Sequence, residues 1–524
     1  MKSIKRIIAL LLTAVMTMTM SVTAFAAGPT NCSLTVNVKD GLDLKGQTIN
    51  LYKLFDVTVS SDKKNYSYTV SNTEGYKDAL VEVLGSPITT NSKDEEIAKA
   101  VKDLGKNNSI GVQNFANKFT AKALKSNLAS TATSNKIADS KKSHTFTGLA
   151  AGYYLVYVTG GKEIQSSLVT VEEGKTNTVN LKTEAPSITK KAEQDTVSIG
   201  QVVKYTVTGS VPDTTGYDQY VYTIRDELSK GLDFVNDVNG TALETGDTTV
   251  NVTVAFKDTS VNAGTAPTTA ALDTTNKRKI SLDLSEWVRA NQANKGKEFT
   301  VTYYAKVNKD AVVTEKNKAT LEYGNKPGET TTTTPSEVKT PTYPLDILKV
   351  KKDSNPEEIL AGAHFTLYAS TTEGTIDESK PIKVTKDEDG KYSYAADQAS
   401  TDPSVITDMV TVATKFEGTG YNLHINGLAA GTYYLKETKA PEGYNKLTDA
   451  IKVTITKSTT ADENDWTLTV DKGTVDGKIV KVENSTGSLL PSTGGRGAIA
   501  FAVIAALLVF GVAVSFIRDK RKEA

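Results

Sequence analysis

A single cysteine, Cys32, stands in 524 residues, which excludes disulfide stapling within the chain. No basic or histidine neighbour in the sequence activates it, so it reads as a packed, unreactive thiol. Tryptophan (two), methionine (five) and proline (14) are also scarce. Lys+Arg and Asp+Glu both total 61, so no net charge draws the chain to nucleic acid, and no nucleic-acid partner is expected. The three histidines, His144, His364 and His424, fall on separate predicted strands without metal-ligand spacing. No constellation points to hydrolysis, phosphate binding, a metal or any other cofactor. What is abundant is Thr, Val, Tyr and Gly, which suits strands joined by turns.

The ends of the chain carry addressing information. Lys2, Lys5 and Arg6 precede an apolar block from Ile7 to about Val22, and Ala24-Phe25-Ala26 follows. This pattern predicts a signal peptide over 1–26, cleaved after Ala26. At the other end Leu490-Pro491-Ser492-Thr493-Gly494 precedes an apolar run over 498–517 and a basic tail over 518–524. Some 20 apolar residues span a bilayer, and the tail sets its cytoplasmic side. Leu490 to Gly494 resembles the LPxTG sorting signal of sortase substrates, in which the bond after the threonine is attacked.

Between the ends, two segments repeat one another: Gly148-Leu149-Ala150-Ala151-Gly152-Tyr153-Tyr154-Leu155 and Gly427-Leu428-Ala429-Ala430-Gly431-Thr432-Tyr433-Tyr434-Leu435. They suggest two related β-sandwich domains, over 27–185 and 343–488. A different domain over 186–342 lies between them, in which Ile199 to Thr208 alternates as a half-buried strand. Thr330 to Thr334 reads as a hairpin loop late in this domain, with Val338 to Tyr343 as a closing strand; an interdomain linker is the alternative. Helical patterning is local, at Lys93 to Leu104 and Phe115 to Leu128, and predicts small surface insertions in the first domain. The fold class is all-β.

Tyr433-Tyr434-Leu435-Lys436-Glu437-Thr438-Lys439-Ala440-Pro441-Glu442-Gly443-Tyr444 matches every fixed position of the E-box of Gram-positive pilins, YxLxETxAPxGY. The chain therefore resembles the backbone pilins of sortase-assembled pili, built from tandem Ig-like, Cna-type sandwiches. The resemblance implies that Glu437 assists an intramolecular isopeptide bond between Lys349 and Asn484. In that chemistry an uncharged amine attacks the amide while the acid hydrogen-bonds to the amide oxygen and relays protons as ammonia leaves. By the same resemblance the middle domain would form a second bond, Lys190 to Asn317, assisted by Asp226. Lys190 is preferred over Lys191 because it shares a strand face with Ile188. In the first domain, matching Asp40 to Asp353 puts Val36 at the lysine position, and matching the Tyr-Tyr-Leu strands puts Tyr157 at the acid position. No bond is expected there.

Backbone pilins also need a lysine to receive the next subunit's threonine. Val179-Asn180-Leu181-Lys182 keeps the V-x-hydrophobic-K core of the pilin motif but lacks its Tyr-Pro pair, so Lys182 is the candidate, with Lys175 and Lys191 as rivals. The reading implied is a secreted, non-enzymatic shaft subunit, carried first by its membrane span and finally anchored to peptidoglycan in the cell wall. Its partners would be pilin-class and housekeeping sortases, identical subunits and accessory pilins. A monomeric wall-anchored adhesin is the alternative.

Overall fold

The computed structural model describes residues 26–27, 31–60, 64–105, 109–161, 165–182, 184–326, 328–487 and 496–521. Strands dominate, and they fall into three consecutive pairs of sheets.

In the first pair, Cys32–Val38 lies between Ser143–Leu149 and Asn177–Leu181 in a three-stranded sheet. The facing sheet is built on Thr48–Val59, Gly152–Thr159 and Gln165–Val171. Every residue of Gly152–Thr159 is buried, because helices cover the outer face of this sheet. Two of them, Asp94–Asp103 and Ile110–Lys125, lie close to the predicted positions; the third, Tyr76–Leu84, was not legible as a helix. Asp94–Asp103 starts with three acids and carries Lys102 in its last turn, which complements its dipole. The helices are more than surface insertions: Tyr76, Leu80 and Phe119 are fully buried, and the Tyr76 and Phe119 rings pack against Tyr52.

The middle pair sets Thr189–Ala192, Val202–Ser210 and Glu298–Val307 in one sheet against Tyr222–Leu228 and Lys316–Lys326 in the other. Glu298–Val307 alternates strictly, with Phe299, Val301, Tyr303, Ala305 and Val307 pointing inward. Most of the threonine run is strand, and only Thr333 to Pro335 lie outside one, between two strands of the same sandwich. Glu329–Thr332 is a strand paired with Lys316–Lys326, Ser336–Lys339 is the closing strand, and Tyr343 already belongs to the next sheet. Threonine's β-branch favours this extended edge position over a turn.

In the third pair, Tyr343–Lys351 lies between Leu423–Leu428 and Ile479–Asn484, facing a sheet that contains His364–Ser370 and Gly431–Lys439. The repeated turn at 427–431 here forms a socket for the middle sandwich. Ile199 N donates to Gly427 O (3.0 Å), Ala429 N to Ser198 Oγ (3.0 Å) and Ala430 N to Thr196 Oγ1 (3.2 Å). Gly427 has φ +85°, and a Cβ there would collide with Ile199, so glycine is required on two counts. One apolar core runs through the first two sandwiches, and a second fills the third.

Helix Arg496–Lys520 contains an apolar stretch, Phe501–Arg518, of mean hydropathy 2.4, long enough to cross a membrane. Leu490, Pro491, Ser492, Thr493 and Gly494, and residues 1–25 of the predicted signal peptide, lie outside the described residues. Ala26, the predicted cleavage residue, pairs with Val59 at the edge of the first sheet.

Candidate functional sites

Strand pairing brings the C-terminal triad together. Tyr343–Lys351 and Ile479–Asn484 run parallel, with Lys349 opposite Val482 and Lys351 opposite Asn484. Alternation puts Asn484 on the same face as Lys349, and Glu437 faces both from the other sheet. All three are buried. Lys349 Nζ lies 3.3 Å from Glu437 Oε1, close enough to pair in charge but outside hydrogen-bond geometry. Lys349 Nζ, Glu437 Oε1 and Asn484 Oδ1 have no hydrogen-bond partner, an uncommon state for buried polar atoms. Burial pulls the Lys349 amine down to about 8, against the opposing pull of Glu437.

The amide orientation differs from the sequence-based expectation. Asn484 turns its nitrogen, not its oxygen, toward the acid: Nδ2 donates to Glu437 Oε2 (3.0 Å) and to the Asn445 carbonyl (2.6 Å). The carbonyl fixes this orientation, because a reversed amide would set two oxygens against each other. Leu447 N donates to the same Glu437 oxygen (2.7 Å), so the turn after the E-box pins the acid as well.

The middle site has another geometry. Lys190 is buried on Thr189–Ala192 while Lys191 is exposed. Lys190 N donates to Ser336 Oγ (2.9 Å), tying the strand to the closing one. Asp226 stands opposite Ala319, and Asn317 shares Ala319's face, so acid and amide come from one sheet and the amine from the other. Lys190 Nζ donates to Asp226 Oδ2 and to the Tyr303 hydroxyl, and that hydroxyl also donates to Asp226 Oδ2. Asn317 Nδ2 donates to the Tyr303 hydroxyl at 3.4 Å. The amine also sits over the Tyr303 and Tyr205 rings, 4.7 and 5.0 Å from their centroids. Burial lowers the pKa of Lys190 and raises that of Asp226, each partly offset by the other's charge.

Tyr303 is the site residue that sequence reasoning missed. The alternation Phe299-x-Val301-x-Tyr303-x-Ala305 was available as a signal: an inward tyrosine must find a partner for its hydroxyl.

In the first sandwich the structure replaces both aligned positions. Cys32 pairs with Leu149, and Tyr343 with Leu428, each just before a bulge; counting on from there puts Val38, not Val36, where Lys349 stands. Tyr154 hydroxyl donates to Ala150 O, as Tyr433 hydroxyl does to Ala429 O, each at 2.8 Å, which makes Val158, not Tyr157, the counterpart of Glu437. The extra residue Thr432 had displaced the sequence match by one. Tyr157 instead stacks on Tyr52 at 5.4 Å, on the helix-covered side. Val38 and Val158 are buried and apolar, so neither an amine nor an acid occupies these positions.

Lys182 is exposed, directly after Asn177–Leu181 and before the middle sandwich. Lys175 pairs with Glu172 at 3.0 Å. Cys32 is buried, and burial pushes its thiol pKa up. His364 and His424 hydrogen-bond to Asp408 (2.7 Å) and Asp346 (2.6 Å), and His144 packs edge-on against Phe146. No group of three or more potential metal ligands occurs among the described residues.

The chain is 26% identical over 323 residues to the trypsin-resistant surface T6 protein of Streptococcus pyogenes serotype M6, covering 56% of this chain and 50% of that protein. It thus spans about half the length of that relative. Among solved structures, it resembles the T6 backbone pilin of serotype M6 Streptococcus pyogenes (17% identity, TM-score 0.44, 88% of this chain and 99% of that one). It also resembles the Corynebacterium diphtheriae major pilin SpaA (16%, 0.45, 87% and 100%). Residues 346–469, which include Lys349 and Glu437, match the model of the SpaA prealbumin-like fold domain.

Proposed function

We propose that this chain is the shaft subunit of a covalently polymerised surface pilus. A sortase would cleave after Thr493 and join that residue to Lys182 of the next subunit, and the finished polymer would be transferred to peptidoglycan. Two intramolecular isopeptide bonds, Lys349–Asn484 and Lys190–Asn317, would brace the subunit.

The observation that carries this reading is the burial of two separate lysine, acid and asparagine clusters in a chain with one cysteine and an LPSTG segment ahead of an apolar helix. Burying an amine and a carboxyl is costly unless they do chemistry or are fully paired, and the C-terminal set leaves three polar atoms unpaired. In each cluster burial favours the uncharged, nucleophilic amine. Lys349 would attack Cγ of Asn484, and Glu437 would take up the amine's proton and deliver one to Nδ2, which it already contacts. Ammonia then leaves.

Boiling wall extracts in detergent tests the assembly. A shaft subunit gives a ladder of high-mass species, whereas a discrete monomer band would favour a wall-anchored adhesin.

A further inference from the structure

The two clusters solve the same geometric problem differently. In the C-terminal site Glu437 itself reaches the leaving nitrogen, Asn484 Nδ2, at 3.0 Å. In the middle site the acid is an aspartate, one methylene shorter; it interacts with the Asn317 side chain, and the Tyr303 hydroxyl stands among the reacting groups as well. It touches Lys190 Nζ, Asp226 Oδ2 and Asn317 Nδ2, that is, the attacking nitrogen, the acid and the leaving nitrogen. The C-terminal amine has an aromatic neighbour without a hydroxyl: the Phe365 ring, 5.8 Å from Lys349 Nζ.

We propose that Tyr303 is a catalytic residue of the middle site, relaying a proton from Asp226 to the leaving nitrogen of Asn317. The inference rests on the isopeptide reading above. Lys190 Nζ forms a bond to Asn317 Cγ and gives up one proton to Asp226 Oδ2. Tyr303 delivers its hydroxyl proton to Nδ2 and is reprotonated from Asp226. The Cγ–Nδ2 bond breaks, ammonia leaves, and both Asp226 and Tyr303 return to their starting states. Burial and the Asp226 charge keep the phenol protonated far above its ordinary range, so it enters the step with a proton to give.

The test follows both links in the same full-length chain, recovered unlinked from inclusion bodies and folded by dilution in detergent. Each link is read over time from the mass of its cross-linked tryptic peptide. Tyr303→Phe should slow the Lys190–Asn317 link by about a hundredfold, the lower end of what a positioned proton-transfer group contributes. The Lys349–Asn484 link, as internal reference, should keep its rate. Equal rates at Lys190–Asn317 with and without the hydroxyl would overturn the proposal. Should Tyr303→Phe disturb folding, 3-fluorotyrosine placed at 303 decides the matter, because it keeps the shape and changes the acidity. A severalfold change in the Lys190–Asn317 rate supports the relay, and an unchanged rate overturns it. An unsubstituted chain that never loses ammonia at Asn317 would instead sink the middle bridge itself.

Discussion

Lys349 and Asn484 are diagonal neighbours on two parallel strands of one sheet, so a bond between them would join the first strand of the C-terminal sandwich to its last without crossing the core. Lys190 and Asn317 come from facing sheets, and their bond would bolt the two layers of the middle sandwich together.

Because each link expels one ammonia, of about 17 Da, the mature ectodomain should weigh about 34 Da less than its sequence. Glu437→Ala should restore one ammonia and Asp226→Ala the other, independently, since the two clusters share no residues. Intact-mass spectrometry reads all three results, and an unmodified native mass would refute both links.

Lys349 gives a pH signature. In an Asn484→Ala chain the amine stays free; its folded pKa of about 8 lies below its ordinary 10.5. Between these values the unfolded chain binds more protons than the folded one, so stability should rise with pH across the window, by on the order of 3 kcal/mol, and be lost as pH falls back through it. Adding Lys349→Met should flatten the curve in denaturant titrations. In the native chain, link formation should accelerate up to about pH 8 and then level off.

Glu437→Ala should cost resistance to heat and protease while leaving assembly intact. Cross-linking a loop of about 100 residues is worth about 4.7 kcal/mol in the chain-entropy account, and the Lys349–Asn484 loop is of that order. Calorimetry of the C-terminal transition and a trypsin time course would show the loss; unchanged curves would mean that the link contributes nothing.

Lys182→Ala should abolish the high-mass ladder, with both internal links still formed. With tension entering at Lys182 and leaving at Thr493, only the two sandwiches with buried clusters lie on its path, and the first sandwich hangs to one side. A ladder that persists in this variant would show that another lysine receives the bond.

The sequence made the strands and the C-terminal cluster readable because each rests on local signals: alternation along Val202–Ser210, the E-box around Glu437, and a lysine on an apolar strand. What it hid depends on register between distant segments. The counterparts of Lys349 and Glu437 in the first sandwich shifted from Val36 to Val38 and from Tyr157 to Val158, because the shorter connection from Val38 to Asp40 than from Lys349 to Asp353, and one inserted residue, are invisible without pairing. The threonine run looked like low complexity until its partner strand was known. Tyr303 passed as an ordinary core aromatic, since its role comes from Asp226 and Asn317 across the sandwich.

The placement of the clusters has a consequence for how far a filament of these subunits could extend. With both links closed, the polypeptide that must remain taut is confined to three stretches, 182–190, 317–349 and 484–493. Residues 191–316 and 350–483 would form closed loops beside that thread, adding nothing to its contour length. Pulled hard, such a fibre should show almost no stepwise lengthening. Its surface loops, such as 257–268 and 396–404, could change in sequence or size without altering its reach.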